Sequence, residues 1–456
     1  MRSGTPNVLL LILDSARARN TSIHGYHRQT TPFLASFAES ATQYTQARSP
    51  AGSSLPSHAS IFTGSLPQEH GVRNLDTRLK PGSTIFDWLS EKGYATGLFT
   101  DNPYLTDLDS GLSNGFDVIL NDKDPFSDGI SPAAFVEQEG TNRSDFLRAA
   151  LGSEAPVQSI LNGATWTLKW HVPWLTAGAV FTRGDVYANH FADWRVSVGD
   201  RPWAACINLM DTHVPFRPAE KYDQWTSTDT KAARKHTDVN DVGDGEEWKY
   251  ALQQNHYDGA IRQADAIIEQ IIKQLENAGE IDNTLIVVTA DHGEEFGDRD
   301  PITGNLSTGH GDGTTEGLLH VPLVVRAPGQ TDPQIISDPV GLVDFPGVVR
   351  AAVNGDAPEF DVGRSVFAGG LADGDVVDVA YERHGRTGVL KYVRIEDTAW
   401  TFHVPTPRVN YALDEDVPAD IIKDMNSLSD VEIASDAEAN VSEAAQQQLE
   451  ALGYTE

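Results

Sequence analysis

Residues 284–294 read Thr284-Leu285-Ile286-Val287-Val288-Thr289-Ala290-Asp291-His292-Gly293-Glu294. The opening run, Thr284–Thr289, is continuously aliphatic or β-branched, the pattern of a strand covered on both faces inside a parallel sheet. It runs directly into an acid and a histidine. A second apolar run, Val8–Leu13, ends the same way in Asp14. In open α/β sheets ligands bind beyond the carboxyl ends of the strands. Asp14, Asp291 and His292 therefore sit where a site would lie, and their oxygen and nitrogen donors suit a divalent metal.

Working outward, strands alternate with amphipathic helices. Further strands are expected at Tyr94–Thr100, Trp203–Met210 and Val321–Ala327. Helices are expected at Thr30–Ala41, Thr84–Lys92, Gly184–Val198, Tyr250–Ala278 and Leu342–Val353. This predicts an α/β fold with a large, mostly parallel sheet sandwiched by helices. Between Asn121 and Arg183 the pattern weakens into a variable insertion, and Thr226–Glu247 reads as a polar loop. After a linker near Gly355–Gly370 the character changes to successive antiparallel strands at Asp375–Tyr381, Val389–Ile395 and Trp400–Val404. An acidic tail, Asp414–Glu456, follows. The expected division is a catalytic domain over residues 1–369, containing the insertion at 121–183, and a smaller C-terminal α+β subdomain over 370–456 with an antiparallel sheet.

Composition narrows the classes. The chain has 456 residues, with 66 Asp and Glu against 34 Lys and Arg, for a formal charge of -32. Only 11 of those cations are Lys. Such an acidic surplus argues against a nucleic-acid partner and reads as a halophile's surface, kept solvated at high salt. The single Cys206, inside the apolar run at Trp203–Met210, reads as a core thiol and fits a reducing, cytoplasmic setting. Val8–Leu13 is too short for the apolar region of a secretory signal. Trp166–Phe181 is rich in aromatic residues but interrupted by Lys169, His171 and Pro173, so it falls short of a spanning helix and allows peripheral membrane contact at most. The oligomeric state is not legible.

Ser53-Ser54-Leu55-Pro56-Ser57-His58-Ala59-Ser60-Ile61-Phe62-Thr63-Gly64 reads as a helix with a hydroxyl, Ser54, at its start. A serine before proline is commonly a helix cap. A helix start also attracts anionic esters, so Ser54 is a candidate nucleophile beside the commoner cap role. His213 follows a strand in Asp211-Thr212-His213-Val214-Pro215-Phe216, and His310 lies in the glycine-rich Thr308-Gly309-His310-Gly311-Asp312-Gly313. Arg17 is a candidate anion contact.

Taken in order, Asp14, Ser54-x-Pro56-Ser57 with Thr63-Gly64, His70-Gly71, Asp291-His292-Gly293-Glu294, His310-Gly311 and His320-Val321-Pro322-Leu323 resemble the sulfatase family of the alkaline phosphatase superfamily. Leu449-Glu450-Ala451-Leu452-Gly453-Tyr454 resembles that family's C-terminal tail. The resemblance implies an alkaline phosphatase-like fold and a hydrolase of sulfate or phosphate-type esters acting through a covalent intermediate. It implies Ser54 as metal-activated nucleophile, Asp14, Ser54, Asp291 and His292 as ligands of one divalent ion (Mn²⁺, Ca²⁺ or Mg²⁺), and His213 and His310 as catalytic. Arg17, His58 and Asn102 fall at substrate-binding positions.

Several departures bear on the substrate. His58 stands where the family's C/S-x-P-S-R motif has Arg, so conversion of Ser54 to formylglycine is not expected. Asp14-Ser15 replaces Asp-Asp, and Asp291-His292 replaces Asp-Asn. Asp101-Asn102-Pro103-Tyr104 stands in place of Lys-Trp-His-Leu-Gly. This set also resembles lipoteichoic acid synthases and phosphonate monoester hydrolases, which widens the substrate to phosphodiesters and phosphonate esters. The alternatives are a phosphotransferase acting on an alcohol, lipid or glycan acceptor, and an inactive binding protein.

Overall fold

The computed structural model describes residues 5–120 apart from 76, 129–130, 135, 143–153, 155–171, 183–226, 248–299, 306–311, 315–361, 432–436 and five strands between 367 and 414. In chain order the strands are β1 (Asn7–Leu13), β2 (Thr42–Arg48), β3 (Thr77–Leu79), β4 (Ala95–Phe99), β5 (Val118–Leu120), β6 (Trp203–Leu209), β7 (Thr284–Thr289), β8 (Glu295–Arg299), β9 (Leu306–Gly309), β10 (His320–Arg326), β11 (Gln334–Ile336) and β12 (Val340–Gly341). A nine-stranded sheet forms in the order β11-β2-β10-β7-β1-β6-β4-β5, with β12 also on β2. All its pairings are parallel except those made by β10, which runs against β2 and β7.

The centre of the sheet is where the apolar runs lie. Every residue of β1, β6 and β7 is buried. Cys206 is buried in β6, where burial raises its thiol pKa. Helices flank the sheet in two groups. Pro32–Phe37 and Gly184–Val198 pack on the long helix Trp248–Ala278, whose Ile261, Ile268, Ile271 and Leu275 are buried. Ser54–Thr63 packs with Ile85–Glu91 and Phe345–Asn354. The fold class is the one expected.

Differences lie at element ends. Thr30–Ala41 shortens to Pro32–Phe37 plus a 3-10 turn, because Pro32 fixes the first position and Asp265 accepts from the N–H groups of Phe33 and Leu34 at 2.9 and 2.8 Å. Leu342–Val353 opens as a 3-10 turn and becomes α-helical at Phe345–Asn354, with Pro346 in its first turn. Of the strand expected at Asp375–Tyr381, residues 375–378 lie outside the described residues, and the rest falls in Val379–Gly385, within a five-stranded antiparallel sheet that continues through Gly388–Ile395 and Thr398–Pro405. From the acidic tail, Ala434–Asp436 pairs antiparallel with β3. In the insertion, helices Arg143–Gly152 and Pro156–His171 form; residues 172–181, the loop at 227–247 and the tail motif at 449–454 lie outside the described residues.

Candidate active site

The carboxyl ends of β1, β4, β6 and β7 converge, and the chain leaving β2 brings in the helix Ser54–Thr63. Asp14 follows β1, and its backbone N–H donates to Leu209 at 3.1 Å. Its Oδ2 accepts from the amides of Asn102 and Asn208, both at 2.9 Å. Burial opposes ionisation of Asp14, but His213, His292 and the Asn208 bond outweigh it and hold the pKa at about 2.

Ser15 comes next, in the left-handed region at φ 61°. A non-glycine residue there is strained and must be held by its surroundings. Ser15 N–H donates to Asp291 Oδ1 at 3.0 Å, and Tyr257 donates to the Ser15 carbonyl at 2.7 Å. The strained turn therefore fixes one carboxylate oxygen of Asp291. The other, Oδ2, is buried without a hydrogen-bond partner. It lies 3.4 Å from His292 Nε2 and 3.5 Å from His58 Nδ1. Ser57 and Ser49 both donate to the Asp291 carbonyl, Ser57 at 2.6 Å.

Ser54 occupies the first position of its helix; Ser53 is the cap residue and makes no side-chain capping bond. Ser54 Oγ lies 3.1 Å from His292 Nε2. His292 Nδ1 is 2.8 Å from the Gly293 carbonyl, an acceptor only, so Nδ1 carries the proton and Nε2 presents a lone pair. Metal-binding histidines are commonly oriented in this way. One donor atom each from Asp14, Asp291 and His292 lies within 4.8 Å of the others, and all three residues are buried. Two carboxylates, one of them with an unpartnered oxygen, and an imidazole with its lone pair turned inward fit a divalent cation.

The His310 ring lies 4.7 Å from that of His292 and 4.9 Å from that of His213, centre to centre. Burial works against protonation of His310, but Glu294, 3.0 Å from its Nδ1, outweighs it and raises the pKa. Burial lowers the pKa of His213, whose Nδ1 donates to the Val214 carbonyl at 2.6 Å. The two histidines are thus biased to opposite protonation states.

The three expected substrate contacts, Asn102, Arg17 and His58, each make internal hydrogen bonds. Asn102 holds Asp14 and accepts from Tyr104 N–H at 3.0 Å, capping a short helix. Arg17 does not join the cluster: its guanidinium donates to the Glu294 carbonyl at 3.0 Å, to Asp298 at 2.9 Å and to Asn20. His58 is buried, with Nδ1 donating to the Ser54 carbonyl at 2.8 Å and Nε2 without a partner. Sequence reading quoted Ser15, Ser57 and Glu294 within its motifs without giving them a role, and missed Ser49, Tyr257 and Asn208. Asn208 had a signal, since a lone amide inside an apolar strand needs a partner.

A family model described as Sulfatase matches residues 6–352. The chain belongs to the sulfatase family. An N-acetylgalactosamine-6-O-sulfatase of Bacteroides thetaiotaomicron is 22% identical over 78% of this chain and 74% of its own length. A steryl-sulfatase of Mus musculus is 26% identical over 76% of this chain, which spans 62% of that relative. The crystal structure of a phosphonate monoester hydrolase of Agrobacterium radiobacter superposes with a TM-score of 0.56 at 18% identity, covering 98% of this chain and 94% of that one. This member of the sulfatase family is an ester hydrolase with an alkaline phosphatase-like fold. Among the described residues no helix is long and apolar enough to cross a membrane.

Proposed function

We propose that this chain hydrolyses anionic sulfate or phosphorus esters with the unmodified hydroxyl of Ser54 as nucleophile. The observation that carries the reading is the placement of Ser54 Oγ 3.1 Å from His292 Nε2, beside the Asp14–Asp291–His292 cluster. Those three residues, with Ser54, would hold one divalent ion, Mn²⁺, Ca²⁺ or Mg²⁺. Bound there, the ion lowers the pKa of a hydroxyl and neutralises charge on the transferring group. Ser54, its hydroxyl proton lost to solvent, bonds through Oγ to sulfur or phosphorus as the ester oxygen leaves, and water then breaks the new bond to regenerate the serine oxygen. His310, charged through Glu294, supplies a proton to the departing oxygen, while neutral His213 accepts one from the attacking water.

His58 supports an unmodified serine, because it replaces the arginine of the family's modification motif and lies against the Ser54 carbonyl. A serine ester opens to any hydroxyl, so transfer to an alcohol acceptor is the second reading. The substrate panel is an aryl sulfate, a phosphonate monoester and a phosphodiester, each with Mn²⁺, Mg²⁺ or Ca²⁺ and with glycerol as competing acceptor. Ser54→Ala should lower turnover about 10⁴-fold or more while leaving metal content largely intact at saturating metal, since Asp14, Asp291 and His292 remain. Surviving turnover would reassign the nucleophile, and an aldehyde at residue 54 by peptide mass would restore formylglycine.

A further inference from the structure

Among the described residues Ser15 is the one with a side chain whose φ is positive. The left-handed region is disfavoured for any residue that carries a Cβ, so a serine kept there is held by its partners. Tyr257 donates to its carbonyl at 2.7 Å and itself accepts from Arg17 N–H at 2.8 Å. The N–H of Ser15 donates to Asp291 Oδ1 at 3.0 Å, and its hydroxyl donates to Asp14 Oδ1, also at 3.0 Å. One residue thus grips both acids of the cluster, the first through its backbone and the second through its side chain.

Donors are shared unevenly between the oxygens of those acids, each of which has about two lone-pair sites. On Asp14, Oδ2 takes the amides of Asn102 and Asn208, while Oδ1 takes the Ser15 hydroxyl. On Asp291, Oδ1 takes the N–H groups of Ser15 and His292, each at 3.0 Å, and Oδ2 takes no hydrogen bond. Each acid therefore has one filled oxygen and one with an open lone pair. We propose that Ser15 is a positioning residue, which clamps the two carboxylates so that their open oxygens are held for one ion. The clamp rests on the cation site proposed above. Its residue type is specific to this chain, where Asp14-Ser15 replaces the family's Asp-Asp. An ionised acid at position 15 could accept but not donate, and its charge would repel that of Asp14.

The test is calorimetric titration of the metal-free full chain with Mn²⁺, Mg²⁺ and Ca²⁺, beside its urea midpoint. Ser15→Ala removes the hydroxyl and keeps the strained φ, whereas Ser15→Gly removes the hydroxyl and relieves the strain. The glycine variant should therefore have the higher urea midpoint of the two. Both should bind the ion that wild type takes up about ten-fold or more weakly. A purely structural Ser15 would make affinity follow stability instead. Wild-type affinity in the glycine variant, alone or together with the alanine variant, overturns the clamp and leaves the cation site standing. Wild type that takes up none of the three ions overturns the cation site itself, and the clamp with it.

Discussion

Asp14 shows how much of a site lies outside the residues that carry its chemistry. Its carboxylate is aimed by two amides, from β6 and from the turn after β4, at 2.9 Å each. Asn208→Ala should weaken metal binding about 10- to 100-fold, read by titrating Mn²⁺ into metal-free protein. Unchanged affinity would show that Asn102 alone aims the acid. Glu294 aims His310 in the same manner. Glu294→Gln keeps an acceptor for Nδ1 but removes the charge. It should lower kcat about 10- to 100-fold on esters of poor leaving groups and far less on nitrophenyl esters, with KM little changed. Equal losses on both would make Glu294 a purely structural residue. Residue types at strand ends made Asp14, Asp291 and His292 legible from sequence. Arg17 was not, because its partners Glu294 and Asp298 are more than 270 positions away in the chain.

At the scale of elements, legibility followed burial. β1, β6 and β7 are continuous apolar runs, and each formed within a residue of its expected limits. β2, Thr-Gln-Tyr-Thr-Gln-Ala-Arg, was not expected: only part of it is buried, and pairing with β10 makes it a strand. The loops that close the site depend on glycine for a reason also hidden in sequence. At Gly293 an added Cβ would lie 1.9 Å from the Gly317 carbonyl, and at Gly52 2.2 Å from that of Gly311. The backbones themselves touch there, with Gly293 N–H donating to Leu318 at 2.7 Å and Gly311 N–H to Gly52 at 3.0 Å. Gly293→Ala should therefore destabilise the protein by about 3 kcal/mol, seen as a lower urea midpoint. A midpoint equal to that of wild type would mean the β7 exit loop moves aside freely.

Across the whole molecule, a charge of -32 sets the terms of stability. Like charges on one surface repel, and added salt screens them over about 10 Å at 0.1 M and less above it. The acidic surface should thus give a urea midpoint that climbs as KCl is raised. Protonation adds a separate dependence, best read at fixed high salt. Burial raises the carboxyls of Asp211 and Asp265 to about 6. In the unfolded chain both titrate near 3.9. Between about pH 4 and 6 the native state therefore binds protons that the unfolded chain does not, and their contribution to stability rises as pH falls through that window. Asp14 works in the opposite sense. Its native pKa of about 2 contributes stability above about pH 4, which is lost as pH falls from there towards 2. Burial lowers His24 and His70 to about 3, so the unfolded chain binds their protons first and stability is lost as pH falls from about 6.5 towards 3. The two raised aspartates and the two histidines offset each other between about pH 6 and 4, so the urea midpoint of metal-free protein should change little there and fall steeply below pH 4. Asp211→Asn and Asp265→Asn together should remove the offset and make the midpoint fall as pH drops from about 6 to 4, leaving the acid limb intact; an unchanged profile would place the titrating groups elsewhere.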